Sequence, residues 1–166
     1  MLNQEQENSK NNIPLVSIGM AVFNGQKTIK RALDSLLSQT YQNIEIIICD
    51  DCSDDKTSEI CKYYLNNNKN IKFFQNENNI GTFSNCNNVF NLSSGQYFMW
   101  ADQDDIRDKT YVEKTVNKLE KNPKAVLCHS YTVVFFREIN NIMHINKMNE
   151  VKNKEFTHLK IHTQYS

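Results

Sequence analysis

Apolar runs too short to be helices alternate along this chain with segments whose apolar residues recur at helical spacing, and few architectures accept that alternation. The β-prone runs are Leu15 to Phe23, Ile44 to Cys49, Ile71 to Gln75 and Gln96 to Ala101. Between the first two, Thr28 to Gln39 sets Ile29, Ala32, Leu33, Leu36 and Leu37 on one continuous stripe, the mark of an amphipathic helix. Ser53 and Asp54 are candidate N-caps for a second helix running to about Leu65, where the Asn66-Asn67-Asn68 run ends it. Gly81 to Leu92 predicts a third helix with Phe83, Val89, Phe90 and Leu92 on its buried side and Gly95 as its breaker. Tyr111 to Lys121 predicts a fourth, with Val112, Val116 and Leu119 turned inward and Pro123 stopping it. Strands separated by helices imply right-handed βαβ crossovers and a mainly parallel sheet flanked by helices, an α/β fold. Ala125 to Phe136 is the longest β-prone run; a hairpin-like polar stretch follows at Arg137 to Asn141, and after Met148 the pattern dissolves. The division expected is a disordered leader at 1–13, one domain at 14–148 and an irregular tail or truncated acceptor region at 149–166.

Charge narrows the function classes. Lys+Arg and Asp+Glu balance at 19 each in 166 residues, so no global field favours nucleic acid or an anionic membrane, and function must rest on local clusters. The cysteines Cys49, Cys52, Cys61, Cys86 and Cys128 are odd in number and scattered, unlike a secreted disulfide framework, which points to a reducing cytoplasm. No apolar stretch reaches the ~20 residues needed to cross a bilayer, so the expectation is a soluble chain, cytoplasmic or peripheral to the inner face of the membrane.

Two acidic clusters stand directly after β-prone runs, Asp50-Asp51 after Ile44 to Cys49 and Asp102-Gln103-Asp104-Asp105 after Tyr97 to Ala101. In an open α/β sheet, ligands bind at the carboxyl ends of strands, so both clusters fall where a site is expected. Several carboxylates at one edge repel each other and any phosphate unless a divalent cation lies among them, so the pattern implies metal plus a phosphorylated ligand. Asp50 and Asp51 lie close enough to the strand for one carboxylate to accept the ring N–H of a nucleobase while its neighbour organises the loop. There is neither a G-x-G-x-x-G fingerprint nor a Walker loop to cradle phosphate, which leaves that task to the metal. The plainer reading of each cluster is helix capping, and for Ser53 to Asp55 it is the better one. An EF-hand is excluded by Ile106 and Arg107 where the calcium loop needs an acid or amide and a glycine. Cys49-x-x-Cys52 lacks the further ligands of a zinc site and the helix of a redox pair, leaving Cys49 a core residue and Cys52 a loop residue. His129 is read as structural, and Tyr97 and Trp100 as packing in or beside the sheet.

At this point the residues resemble the family 2 glycosyltransferases of the GT-A fold. Pro14-Leu15-Val16-Ser17-Ile18 through Phe23-Asn24-Gly25 is similar to that family's opening strand and turn, and Leu36 to Ile46 (LLSQTYQNIEI) to its S-x-L-x-Q-T-Y-x-N-x-E-I segment. Asp50-Asp51-Cys52-Ser53-Asp54-Asp55-Lys56-Thr57, Asn78-Asn79-Ile80-Gly81, Gly95-Gln96-Tyr97 and the D-x-D of Asp102-Gln103-Asp104 follow in the family's order. The resemblance implies that Ala21, Phe23 and Asn24 line a nucleotide and that Asp51 reads its base; Asp50 and Gln103 join that nucleotide-sugar-binding set. It implies that Asp104 binds a divalent cation, Mn²⁺ or Mg²⁺, and that Asp102 serves the ribose or sugar region and assists at the metal. The activity implied is transfer of a sugar, with inversion, from a nucleotide-diphosphate donor to a hydroxyl acceptor, a saccharide or glycolipid, in surface polysaccharide or glycolipid synthesis. Two positions depart from the pattern. Cys86 stands where many members carry Arg, and the family's acceptor-side base lies some tens of residues past the metal motif, in a region this sequence hardly enters; Glu138, Glu150 and Glu155 are available acids without a recognisable context, so each is read as a surface acid and none as the catalytic base. The alternative is a non-catalytic nucleotide-sugar-binding remnant. A haloacid-type phosphatase is disfavoured because its acids follow the first strand and Ile106 replaces its Thr or Val, and a receiver domain because its phosphate-contacting Lys is missing.

Overall fold

Four strands run side by side, all parallel, in the order β3-β2-β1-β4. The computed structural model describes residues 13–129. Chain order is β1 (Val16–Val22), α1 (Ile29–Leu37), β2 (Ile44–Asp50), α2 (Thr57–Asn67), β3 (Ile71–Gln75), α3 (Thr82–Asn91), β4 (Tyr97–Trp100) and α4 (Tyr111–Glu120). The alternation in the sequence thus becomes the expected α/β sheet.

The interior strands explain their own composition. Every residue of β2 is buried, as a parallel strand covered on both faces requires, and its even and odd positions serve different cores. Ile44, Ile46 and Ile48 join Val16, Ile18, Met20 and Val22 under α1, α2 and α4, where Leu33, Leu36, Cys61, Tyr64, Val112 and Val116 complete the main core. Each large aliphatic side chain there contributes about 2 kcal/mol by leaving water. Ile47 and Cys49 face the other way and meet Val89 of α3, with Ala21 and Phe98 beside them. This second core is thin and close-set: a Cβ on Gly19 would lie 2.5 Å from Val89 Cγ1 and 2.6 Å from the Phe98 ring.

Several local expectations are corrected. Neither Ser53 nor Asp54 caps α2: the N-cap position falls at Lys56, and it is Asp55 Oδ1 that accepts the Thr57 N–H at 2.8 Å and the Thr57 hydroxyl at the helix start. Ser53 is instead committed to Asp50 and the β1 loop. α3 buries Asn85 and Val89, while Phe83 is 81% exposed, Leu92 is partly exposed, and Phe90 lies at the edge of the sheet, edge-on to the Phe98 ring at 5.1 Å but still open to solvent. The helix ends at Asn91, four residues before Gly95. Gly95 instead allows close approach: a Cβ there would sit 2.6 Å from the Ser17 amide nitrogen and 2.7 Å from the Leu15 carbonyl oxygen. Of the run Ala125 to Phe136, residues 125–129 lie in no strand and Val126 is exposed; residues 130–136 lie outside the described residues. So do the hairpin at Arg137 to Asn141, Glu138, Glu150, Glu155, the leader at 1–12 and the tail at 149–166.

Candidate functional site

The chain leaves β1 towards β2 and β3, then returns to place β4 on the other side of β1. Strand order therefore reverses between β1 and β4, and their carboxyl ends open the crevice where an α/β sheet binds its ligands. Three loops meet along that edge: 23–28 after β1, 51–56 after β2 and 101–110 after β4. The acidic clusters share the edge but β1 separates them, which sets them roughly 10 Å apart at two interstrand spacings.

The first two loops are laced together. Asn24 N–H donates to Ser53 Oγ at 2.9 Å, and Asp54 N–H returns a bond to Asn24 Oδ1 at 3.1 Å. Gly25 N–H donates to Thr57 Oγ1 at 2.8 Å and Gln26 N–H to Asp55 Oδ2 at 3.0 Å. Asn24 (φ 50°) and Cys52 (φ 61°), one in each loop, are the non-glycine residues with left-handed backbone among those described. Asn tolerates that conformation; for Cys52 it costs about 1–2 kcal/mol, a strain held by the surrounding bonds.

Asp50 and Asp51 are both buried, and their carboxylates have separate duties. Asp50 accepts the Ser53 hydroxyl and amide and the Gln75 side-chain amide at 3.1 Å; burial pushes its carboxyl above the usual range, against the pull of those bonds. Asp51 faces the loop after β3: Oδ1 accepts Asn76 Nδ2 and Ile80 N–H, each at 2.9 Å, and Oδ2 accepts Gly81 N–H at 2.9 Å. Gly81, at φ 83°, then opens α3. Asp51 thus shapes the 76–81 loop, and its Oδ2, with one donor, keeps room for another.

The second cluster is built the other way. Gln103 spends its amide on the β1 loop, accepting Phe23 N–H and donating to Phe23 C=O, both at 3.1 Å. Asp105 pairs with Arg107 at 3.1 Å. Arg31 Nη2 donates to the Asp104 backbone carbonyl at 3.3 Å and Asp105 N–H to that of Asp102 at 3.3 Å, but the Asp102 and Asp104 carboxylates accept no hydrogen bond from any described residue, and both residues are exposed. Although Asp102 reaches solvent, desolvation by the atoms around its carboxyl raises its pKa, with repulsion from Asp105 and Asp104 adding and Arg107 opposing. The loop carrying these acids is held from behind. Gln39 Nε2 donates to Asp108 C=O at 2.8 Å while its Oε1 accepts Val112 N–H at 3.0 Å, and Arg107 N–H donates to Ser35 Oγ at 3.1 Å. The Arg107 guanidinium lies 5.4 Å from the Tyr111 ring centroid, and its buried Nε has no partner among the described residues.

Of the residues singled out from the sequence, Phe23, Asn24, Asp102, Gln103 and Asp104 gather at the crevice. Asp50 and Asp51 lie inside the adjoining loop, and Ala21 packs on the second core beside Cys49 and Phe98. Cys49 is a buried strand residue with its thiol pushed up to about 11 by burial, and Cys52 is a loop residue donating to Glu77 C=O at 3.6 Å. Trp100 is 45% exposed, edge-on to Phe98 at 4.7 Å, and Tyr97 reaches Glu120. Ser35, Gln39 and Arg107 were not singled out; only Gln39 carried a signal, as part of the Q-T-Y run.

A divalent cation fits the donor set in one way only. Among the described residues no three His, Cys, Asp or Glu side chains converge on a metal position, so there is no all-protein cage. Two carboxylates without donors among the described residues, at the mouth of a crevice, suit a hard cation that takes its remaining oxygens from water and from a ligand's phosphates.

With this geometry in view, the likeness to known proteins is specific. The model of the family described as Glycosyl transferase family 2 matches residues 17–165. The chain belongs to the family 2 glycosyltransferases. A glycosyltransferase of Haemophilus influenzae is 36% identical over 120 residues, 72% of this chain and 37% of the relative. A glycosyltransferase of Rickettsia typhi is 41% identical over 123 residues, 73% of this chain and 37% of its own length. The putative glycosyltransferase EpsE of Bacillus subtilis is 36% identical over 113 residues, covering 68% and 41%. The chain thus spans well under half the length of these relatives. Among solved structures, S. aureus TarS residues 1–349 in complex with UDP superposes with a TM-score of 0.62 at 27% identity, over 66% of this chain and 33% of that one. The mannosyltransferase of Pyrobaculum calidifontis, in complex with GDP-Man and Mn²⁺, superposes at 0.61 with 18% identity, a likeness of fold alone. The four-stranded sheet described above is the GT-A sheet of this family.

Proposed function

We propose that this family member holds a nucleotide-diphosphate sugar at the β1/β4 crevice and passes the sugar, with inversion, to a hydroxyl of a saccharide or glycolipid acceptor in surface polysaccharide synthesis. The observation that carries the reading is the pair Asp102 and Asp104, two carboxylates without protein donors at the strand-order reversal of a family 2 sheet. Like-charged carboxylates set close together repel one another, as Asp105 and Asp104 do Asp102, so a pair left without donors among the described residues at this edge is suited to a cation that would lie among them. Support for the donor class comes from the neighbours: TarS is described with UDP and with UDP-GlcNAc.

In this reading Phe23 and Asn24 line the base and ribose, Asp51 and the 76–81 loop it shapes face the base, and Asp102 reaches the ribose or sugar. Asp104, with Asp102, holds Mn²⁺ or Mg²⁺, which supplies charge neutralisation for the departing diphosphate. The five free thiols fit a reducing compartment, and we place the chain in the cytoplasm, peripheral to the inner face of the membrane.

Calorimetric titration with UDP, dTDP, GDP and CMP, each with Mn²⁺ and with chelator, tests this directly. Metal-dependent binding of one nucleotide supports the reading; failure of all four with folded protein rejects it. Binding of a nucleotide sugar without release of its sugar to any acceptor would instead favour the donor-binding module.

A further inference from the structure

Gln103 sits between the two acids of the D-x-D motif, where a direct contact with the donor is the simple assignment. Its amide is already engaged. Oε1 accepts Phe23 N–H and Nε2 donates to Phe23 C=O, both at 3.1 Å, across 80 residues of sequence. The two partners also settle which way round the amide lies, because the flipped orientation would set donor against donor and acceptor against acceptor. β4 ends its pairing with β1 at Trp100 opposite Gly19, so the backbone ladder stops short of Phe23. The Gln103 side chain takes over beyond that point. Gly25 makes room for it, since a Cβ there would lie 2.5 Å from Gln103 Oε1 and 2.8 Å from its Cδ.

We propose that Gln103 is a positioning residue: a side-chain clasp on the Phe23 backbone that fixes the distance between the β1 loop and the Asp102–Asp104 carboxylates. This rests on the donor-site reading above and assigns Gln103 a part without contact to the nucleotide. The β1 loop faces the nucleoside and the acidic loop faces the cation and phosphates, so one ligand must span both. A clasp between them sets the span before the ligand arrives and reduces the ordering lost on binding.

The test uses Gln103→Met, which keeps length and volume but cannot hydrogen bond, Gly25→Ala, which crowds the clasp from the opposite partner, and the double variant. Two quantities are read in each: hydrogen exchange of the Phe23 amide by NMR, and nucleotide affinity with Mn²⁺ against chelator. Gln103→Met is expected to speed Phe23 exchange about tenfold and weaken metal-dependent nucleotide binding about tenfold, the loss of two modest hydrogen bonds. Gly25→Ala should shift both in the same direction, and the double variant should bind no worse than the weaker single one, because both substitutions break the same clasp. Unchanged Phe23 exchange in Gln103→Met would show that the clasp does not form in solution. Faster exchange with wild-type affinity would remove its positioning role, and strictly additive losses in the double variant would point to direct contact with the nucleotide. If the wild-type chain binds none of the nucleotides, the donor-site reading fails and the positioning role with it; if the wild type binds and Gln103→Met binds equally, only the clasp's role is overturned.

Discussion

Two acidic regions lie at opposite ends of the same sheet. At the amino end of β2, Glu45 is buried and fully answered: Ser17 Oγ donates at 2.5 Å, Ser94 N–H and Oγ each at 2.8 Å, and Lys72 Nζ stands 2.7 Å away. Burial by itself would raise its pKa, but Lys72, Ser17 and Ser94 outweigh it and bring it down from 4.5 to about 2. At the carboxyl end, Asp102 and Asp104 have no such donors, and Asp102 is raised. A carboxylate that the protein satisfies holds β1, β2, β3 and the Ser94–Gly95 turn together. A carboxylate that the protein leaves unsatisfied at a crevice is available to something else.

The largest expected effect breaks the comparison at the carboxyl end. Asp104→Ala should weaken metal-dependent nucleotide binding by about a hundredfold, on the order of losing one direct charge contact to the cation, while leaving the melting temperature within a few degrees, since Asp104 is exposed and its carboxylate holds no other described residue. Calorimetry beside a thermal melt checks both, and unchanged binding would take Asp104 out of the site. Glu45→Ala should do the reverse. Removing one partner of a buried, multiply bonded ion pair costs about 3 kcal/mol of stability in urea unfolding, with nucleotide affinity unaltered wherever the chain remains folded.

Acid should separate the two ends without any substitution. Glu45 has a lowered folded pKa, so its stabilisation is complete above pH 4.5 and fades as pH falls towards about 2, a loss on the order of 2–3 kcal/mol. Asp102 has a raised pKa, so the penalty of its ionised form disappears as pH falls, while cation affinity, which needs the carboxylate, falls first. Nucleotide binding in Mn²⁺ should therefore weaken at a higher pH than the fold does; coincident losses would argue against the two roles. The smallest effect belongs to Lys72→Ala. Its ammonium is about half exposed, so the substitution should cost under about 1 kcal/mol and leave Glu45 held by the serines.

Much of the fold was legible because its signals are local. The stripe on α1, the apolar run of β2 and the stop after α4 are read within a dozen residues, and the boundaries fall within a few residues of expectation. α3 was misjudged on its buried side because Phe83 and Phe90 are apolar yet only Asn85 and Val89 are buried; Phe90 meets the Phe98 ring of β4 edge-on at 5.1 Å and stays 55% exposed. Hydrophobicity says what a side chain favours, and the position of the neighbouring sheet decides whether it gets it. The site was legible as acids after strands. The bonds of Asp51 to the 76–81 loop and of Gln39 to the loop 101–110 join distant segments, and nothing in the local pattern announces them.

By itself the amino-acid sequence determined the α/β alternation, the buried stripe of α1 and the presence of acidic clusters at strand ends, because periodicity and turn chemistry act over neighbouring residues. The tertiary structure decided that β4 returns beside β1, that β1 stands between the two acidic clusters, and that Glu45 is answered while Asp102 and Asp104 are not. A carboxylate's role depends on which donors come within about 3 Å of it, and those donors arrive from strands and loops tens of residues away.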